Sequence, residues 1–292
     1  MPPQSSSLVH LSFAIADIVT ATAQQVVEVQ SHRSLASGFV WRDGLIVTAD
    51  ETLADEGSIQ VELYDGTVLA AKVVGRDAAS DIALLSVEGA RAQLAVNRTE
   101  PLRSGELALV VAAAESLPLT AFGMIATAGP AWQSMRGGTI DARLEMDIRL
   151  RRRAEGGLAL DCSGRALGMA VRGPRGRTFV IPTATIDRIA GQLAAHGRVA
   201  VAYLGVALKD VPLKEGGGGA MVMTLDADGP AAAAGLQQGD IIVSWQGERI
   251  HSAAALLRTL RAASVGSSVT LGLQRGGAAQ QLDVTIGDKP AK

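Results

Sequence analysis

Apolar residues follow different rhythms in successive parts of this chain. Phe13, Ile15, Ile18 and Val19 recur at helical spacing, and a β-rich run, Val26-Val27-Glu28-Val29, follows. From there to about residue 180, short apolar runs predict strands at 39–41, 45–47, 59–63, 69–74, 82–87 and 107–111. Arg42-Asp43-Gly44 and Tyr64-Asp65-Gly66 lie between such runs, and Asp-Gly in that setting is a hairpin signal. Many short strands separated by turns imply a sandwich or barrels. Residues 183–196 predict a helix. Pro182 precedes a cap candidate at Thr183, Ile186, Ile189 and Leu193 form an apolar stripe, and Gly197 ends it. The rest returns to strands, with a turn at Gln246-Gly247, a helix over about 252–263 and a closing strand pair at 269–273 and 281–286. The glycine run 216–219 predicts a mobile loop.

Composition narrows this picture in only a few respects. The 292 residues allow two or three domains, each with its own core. Hydrophobic residues make up 48% but aromatic ones only 3%, so the core is built from Val, Leu, Ile and Ala. A formal charge of -2 gives no global field favouring nucleic acid or an anionic membrane, and neither is expected as a partner. The single cysteine, Cys162, forms no internal disulfide. No apolar run approaches the roughly twenty residues of a membrane span. The weakly apolar stretch 8–19 is interrupted by His10 and Asp17 and preceded by no Lys or Arg, which makes a poor signal peptide. The expected location is therefore cytoplasmic, or periplasmic if a leader was removed.

Several short segments together resemble a known family. Ala36-Ser37-Gly38-Phe39-Val40, Gly44-Leu45-Ile46-Val47-Thr48, Gly75-Arg76-Asp77, Ser80-Asp81-Ile82-Ala83-Leu84-Leu85, Gly123-Met124-Ile125, Met146-Asp147 and Gly156-Gly157 follow the order and spacing of an HtrA/Deg-type protease domain. Tyr203-Leu204-Gly205-Val206, Gly229-Pro230-Ala231, Ala234-Gly235-Leu236 and Gly239-Asp240-Ile241-Ile242 resemble the PDZ domain that follows it. The resemblance implies a mostly β protein: a chymotrypsin-like double β-barrel, a linker helix and a C-terminal α+β PDZ domain. The expected division is an N-terminal segment 1–14, a trypsin-like domain 15–182, a linker helix 183–199, a PDZ domain 200–288 and a tail 289–292.

A protease of this kind needs a histidine base, an aspartate to orient it, a serine nucleophile and backbone N–H groups for the oxyanion. The family writes its histidine segment T-N-N-H-V, and here Thr48-Ala49-Asp50-Glu51-Thr52 puts Glu51 in the histidine's place. The aspartate is matched by Asp81, and counting from Met146-Asp147 puts Glu155 in the serine's place. Arg153 stands where the family has the glycine of the oxyanion turn, and a G-N-P segment is replaced by Ala112-Ala113-Ala114. The resemblance at these positions implies a degenerate triad and a chain that is not an enzyme. His10, His32, His196 and His251 are expected on the surface, and Cys162 as a turn residue.

If the fold is kept, Glu51, Asp81 and Glu155 converge where the triad was. Like charges that close raise a carboxyl pKa or recruit a cation. The favoured reading is pairing with Arg151, Arg152 or Arg153, or solvation, with no metal or other cofactor. The cluster Arg149, Arg151, Arg152 and Arg153 reads either as a patch for an acidic partner or as a solvated loop, and the second is preferred. The resemblance implies that the PDZ domain binds peptide C-termini through Tyr203, Leu204, Gly205 and Val206, with Leu256, Leu257 and Leu260 on the facing helix. The expected function is a scaffold or chaperone-like interaction module. The alternatives are a regulatory subunit co-assembling with an active relative, a trimer being plausible, or an enzyme with a remade acidic site.

Overall fold

The computed structural model describes residues 7–32, 34–92, 98, 100–213, 216–263 and 265–290. It divides into two compact units, Met1–Val199 and Ala200–Lys292. The expected tail reaches Ala291-Lys292, which lies outside the described residues.

In the first unit, α1 (Ser7–Ala23) is followed by β1 (Val26–Ser31), β2 (Ser34–Arg42), β3 (Leu45–Thr48), β4 (Ile59–Glu62), β5 (Val68–Asp77) and β6 (Ile82–Ser86). These six strands close into a barrel in the order β1-β2-β3-β6-β5-β4. Both Asp-Gly signals are hairpin turns, at β2–β3 and at β4–β5, where Asp65 Oδ1 accepts the N–H of Thr67 at 2.9 Å. A second barrel uses β7 (Leu107–Ala114), β8 (Leu117–Gly129), β11 (Arg143–Met146), β12 (Leu158–Asp161), β13 (Ala166–Arg172) and β14 (Thr178–Pro182). Its order is β11-β14-β13-β12-β7-β8, and a small hairpin of β9 (Trp132–Gln133) and β10 (Thr139–Ile140) stands outside it.

Each barrel has an aliphatic interior, and the largest cluster draws on both, joining Val47, Ile82 and Leu84 of the first to Leu109, Leu160 and Met169 of the second. α2 (Thr183–His196) lays Ile186, Ile189 and Leu193 into that cluster. Burial of a side chain of this size contributes roughly 1.5–3 kcal/mol. Trp41 Nε1 donates to Asp187 Oδ1 at 2.7 Å and ties α2 to β2. Thr183 is the first helical residue rather than the cap. Pro182 holds the cap position, and no side chain caps the helix there.

In the second unit, β15 (Ala202–Tyr203) pairs with β22 (Gly287–Asp288). The main sheet runs β16 (Val206–Pro212), β17 (Gly218–Leu225), β18 (Ile241–Trp245), β20 (Ser268–Arg275) and β21 (Ala278–Thr285), with β19 (Glu248–Arg249) added to β18. β16 is an edge strand. A single turn α3 (Pro230–Ala233) and α4 (Ala253–Ala262) complete the unit, and Ser252 Oγ caps α4 by accepting the N–H of Ala255 at 3.1 Å. The loop expected at 216–219 is half strand, because Gly218 and Gly219 belong to β17. A Cβ on Gly218 would lie 2.4 Å from the carbonyl of His251, so close backbone approach rather than freedom requires the glycine. Among the described residues no helix is long and apolar enough to cross a membrane.

Candidate functional site

β3 delivers Thr48 to the rim of the first barrel, and the chain then turns through a single 3₁₀ turn, Asp50–Thr52. Arg76 fixes this turn with Nε on Asp50 Oδ1 and its terminal nitrogens on the carbonyls of Asp50, Leu53 and Ala54. Asp81, just before β6, adopts a left-handed backbone with φ of 58°. Its Oδ1 accepts the N–H of Glu51 at 2.8 Å. Burial pushes the Asp81 carboxyl up to about 7; the Glu51 N–H opposes this, and the neighbouring charges of Glu51, Glu155 and Asp50 add to it.

Glu155 enters from the second barrel. Its loop makes a 3₁₀ turn, Arg152–Ala154, and Glu155 follows, 7% exposed. Glu155 Oε1 accepts the N–H of Arg172 on β13 at 3.1 Å. Burial raises its carboxyl, against that hydrogen bond and the charge of Arg172. Gly156 then takes φ of 87°, and a Cβ there would sit 2.0 Å from the carbonyl oxygen of Ser37, so only glycine closes this turn. Ser37 holds the loop from the opposite side. Its N–H donates to Glu155 O at 2.8 Å, and its Oγ donates to Arg153 O at 2.6 Å.

The backbone donors of the loop are committed internally. The N–H of Ala154 donates to Arg151 O, that of Glu155 to Arg152 O, that of Gly156 to Ala170 O and that of Gly157 to Ala154 O. In this arrangement the Glu155 N–H is taken by the Arg152 carbonyl at 3.2 Å.

Glu51, Asp81 and Glu155 therefore share one electrostatic neighbourhood, but they do not form a ligand cage. Among the described residues no group of three His, Cys, Asp or Glu side chains could hold a metal ion. The expected counter-charge is in part displaced, although the charge of Arg152 acts on Glu155. Arg136 pairs with Glu51 at 2.9 Å, whereas Arg153 turns to Glu115 at 2.6 Å. Arg149, Arg151 and Arg152 are exposed. The four histidines are exposed, and Cys162 is exposed in the turn between β12 and β13. The three carboxyl groups line a cavity of about 750 Å³. Its wall includes Trp132 and Phe179, whose rings lie 5.7 Å apart, and five arginines. Sequence reasoning missed Arg76, Arg136, Trp132 and Phe179. Only Arg76 lay in a segment already singled out, and its reach across the turn is a tertiary fact.

In the second unit, Gly205 has φ of 76° and follows Leu204 in the loop between β15 and β16. The carbonyls of Leu204 and Gly205 accept the N–H groups of Ala231 and Asp226 at 2.9 Å, and the Tyr203 hydroxyl donates to the Asp226 carboxylate. The hydrogen bonds of the described residues include none from the N–H of Leu204 or Gly205. Leu204, Leu256 and Leu260 are core residues of this unit, Val206 packs against them, and Leu257 is 40% exposed.

These features can be set against known proteins. A trypsin-like peptidase domain model matches residues 36–169, and a PDZ domain model matches 202–286. A probable periplasmic serine endoprotease DegP-like of Pseudomonas putida is 31% identical over 274 residues, which is 88% of this chain. The like-named protein of Bartonella henselae is 31% identical over 287 residues, 89% of this chain. The chain belongs to the HtrA/Deg family. It spans 57% and 55% of the length of these two relatives. Among solved structures, the serine endoprotease from Yersinia pestis superposes with a TM-score of 0.71 at 24% identity, covering 94% of this chain and 98% of that one. The HtrA-type protease AlgW with decapeptide gives 0.72 at 21% identity, covering 95% and 99%. Both show the shared fold.

Membership corrects two expectations. The triad positions implied a chain that is not an enzyme, but the relatives are named serine endoproteases and the matched domain is a peptidase domain, which points to a protease. The relatives are also named periplasmic, which overturns the cytoplasmic expectation drawn from the N-terminal residues.

Proposed function

We propose that this HtrA/Deg family member handles polypeptide chains in the cell envelope, capturing their C-terminal tails on its PDZ domain. The observation that carries the reading is the loop before β16. Two neighbouring N–H groups, of Leu204 and Gly205, have no acceptor among the described residues, and they sit at the start of an edge strand. An incoming strand would add to β16, and its carboxylate would take those two donors. AlgW, a protein of the same fold, was solved with a decapeptide, which agrees with peptide binding in general. Self-association belongs to the same proposal, since α1 leaves Leu8 and Phe13 76% and 64% exposed, a poor state for apolar side chains in water. The test is fluorescence anisotropy with a labelled peptide ending in a free aliphatic residue, against the same peptide C-terminally amidated. Binding of the free form only, lost in Gly205→Trp, is expected. Equal binding of both forms would refute tail capture without relying on a variant.

One observation favours a second, catalytic reading. In this reading hydrolysis falls to carboxyl groups, since Glu51 and Glu155 stand at the positions matched to the histidine and the serine. Burial raises both carboxyls, Asp81 to about 7, so Asp81 can carry a proton below that pH beside a second acid that burial also perturbs. A pair of perturbed acids of this kind suits general acid–base attack of water on an amide. Casein digestion strongest below pH 7 and abolished by Asp81→Asn or Glu155→Gln supports this reading; digestion indifferent to both variants sinks it.

A further inference from the structure

The cavity beside Asp81 and Glu155 is lined by Arg136, Arg143, Arg152, Arg172 and Arg177. Their counter-charges are few. Arg136 is paired with Glu51 at 2.9 Å. Arg143 and Arg177 share one carboxylate, Glu145, at 2.6 and 3.3 Å. Arg152 and Arg172 are exposed and make no ion pair within 4.0 Å among the described residues. Of the remaining carboxyl groups, buried Glu155 accepts the Arg172 N–H and feels the charges of Arg172 and Arg152 without a direct ion pair to either, and burial holds part of Asp81 protonated near neutral pH. Behind the wall, the buried Trp132 Nε1 has no hydrogen-bond partner among the described residues. Next to it, the Phe179 ring lies 5.7 Å from the Arg177 guanidinium, giving an apolar floor beneath the charges. Guanidinium groups meet carboxylates in bidentate, charge-assisted pairs, and donors gathered around an apolar floor suit a short acidic side chain with its methylene stem.

We infer that this cleft is a subsite for an aspartate or glutamate side chain of an extended polypeptide, seated between Arg152 and Arg172 against the Trp132–Phe179 wall. The assignment rests on the polypeptide-handling reading but not on the PDZ domain. An acidic residue seated there meets the two exposed guanidinium groups that lack an ion pair, whereas a basic one meets their repulsion and can turn only to carboxyl groups that are buried or already paired. The occupant is selected by charge, and binding weakens with salt.

The probe is a fluorescein-labelled decapeptide containing Asp and Glu, amidated at its C-terminus so that tail capture cannot contribute. It is titrated into the whole chain beside its Asn/Gln counterpart. The expected result is at least about ten-fold tighter binding of the acidic peptide, a preference that falls as salt rises. The double variant Arg152→Gln/Arg172→Gln should erase the preference, while Gly205→Trp leaves it intact. Equal affinity for the two peptides, or a preference that survives in the double variant, would overturn the assignment. If the double variant fails to fold, the wild-type comparison of the two peptides and its salt dependence still decide. Failure here with tail capture intact would exclude the acidic subsite alone.

Discussion

Replacing Asp81 by asparagine should stabilise the protein at alkaline pH and not at acid pH. The folded chain binds the Asp81 proton more tightly than the unfolded chain does, because burial and three neighbouring carboxylates press its pKa up to about 7. The unfolded value is about 3.9. Stability tied to this group is therefore fully present below about pH 4 and is lost as pH rises through 7. The two pH units between 5 and 7 cost the wild-type protein about 2–3 kcal/mol, at about 1.4 kcal/mol each. Asparagine carries no proton to lose, and its Oδ1 can still accept the Glu51 N–H. Urea unfolding of both proteins at pH 5 and pH 8, followed by tryptophan fluorescence, reads the effect. The stability difference should move in favour of Asp81→Asn by about 2–3 kcal/mol between the two pH values. A difference that stays constant with pH would refute the reasoning, since the carboxyl would then titrate alike in both states.

Three further substitutions test the packing. Leu193→Ala empties a fully buried position where α2 meets the barrels, and should cost about 2–5 kcal/mol in denaturant unfolding of the first unit. Gly156→Ala should cost at least about 3 kcal/mol, because the new Cβ meets the Ser37 carbonyl and the backbone is left-handed; thermal unfolding checks it. Asp240, 1% exposed, accepts two hydrogen bonds from Arg275 and one from the N–H of Gln237. Burial raises its carboxyl, but these bonds outweigh burial and hold it below the usual range, so its stabilisation is present above the unfolded value and lost as pH falls through the folded one. Asp240→Ala should destabilise the second unit by about 3–5 kcal/mol and flatten its acid limb, as calorimetry against pH would show.

The barrels were legible because their signals are local. Asp43-Gly44 and Asp65-Gly66 sit where two strands must reverse, and the stripe Ile186, Ile189, Leu193 leaves no alternative to a helix with one buried face. Contacts across the chain were not legible. Thr183 has a capping side chain, yet it enters the helix and Pro182 holds the cap. Arg153 stood beside the acids in sequence and turned to Glu115, while Arg136, on a distant hairpin loop, took Glu51. The glycines at 218 and 219 read as slack, but neighbouring atoms lie too close for a side chain. Membership of the HtrA/Deg family was legible in the joint order of its short segments, whereas the residues at 51 and 155 argued against an enzyme, and comparison with relatives named serine endoproteases corrected that.

The central claim is capture of polypeptide tails by the loop before β16, and amide chemical shifts read it most directly. Titration of an isotope-labelled chain with a peptide carrying a free C-terminus should move the amides of Leu204 and Gly205 first, with those of β16 next, and the amidated peptide should leave them in place. Shifts confined to other surfaces, or identical shifts with both peptides, would contradict it.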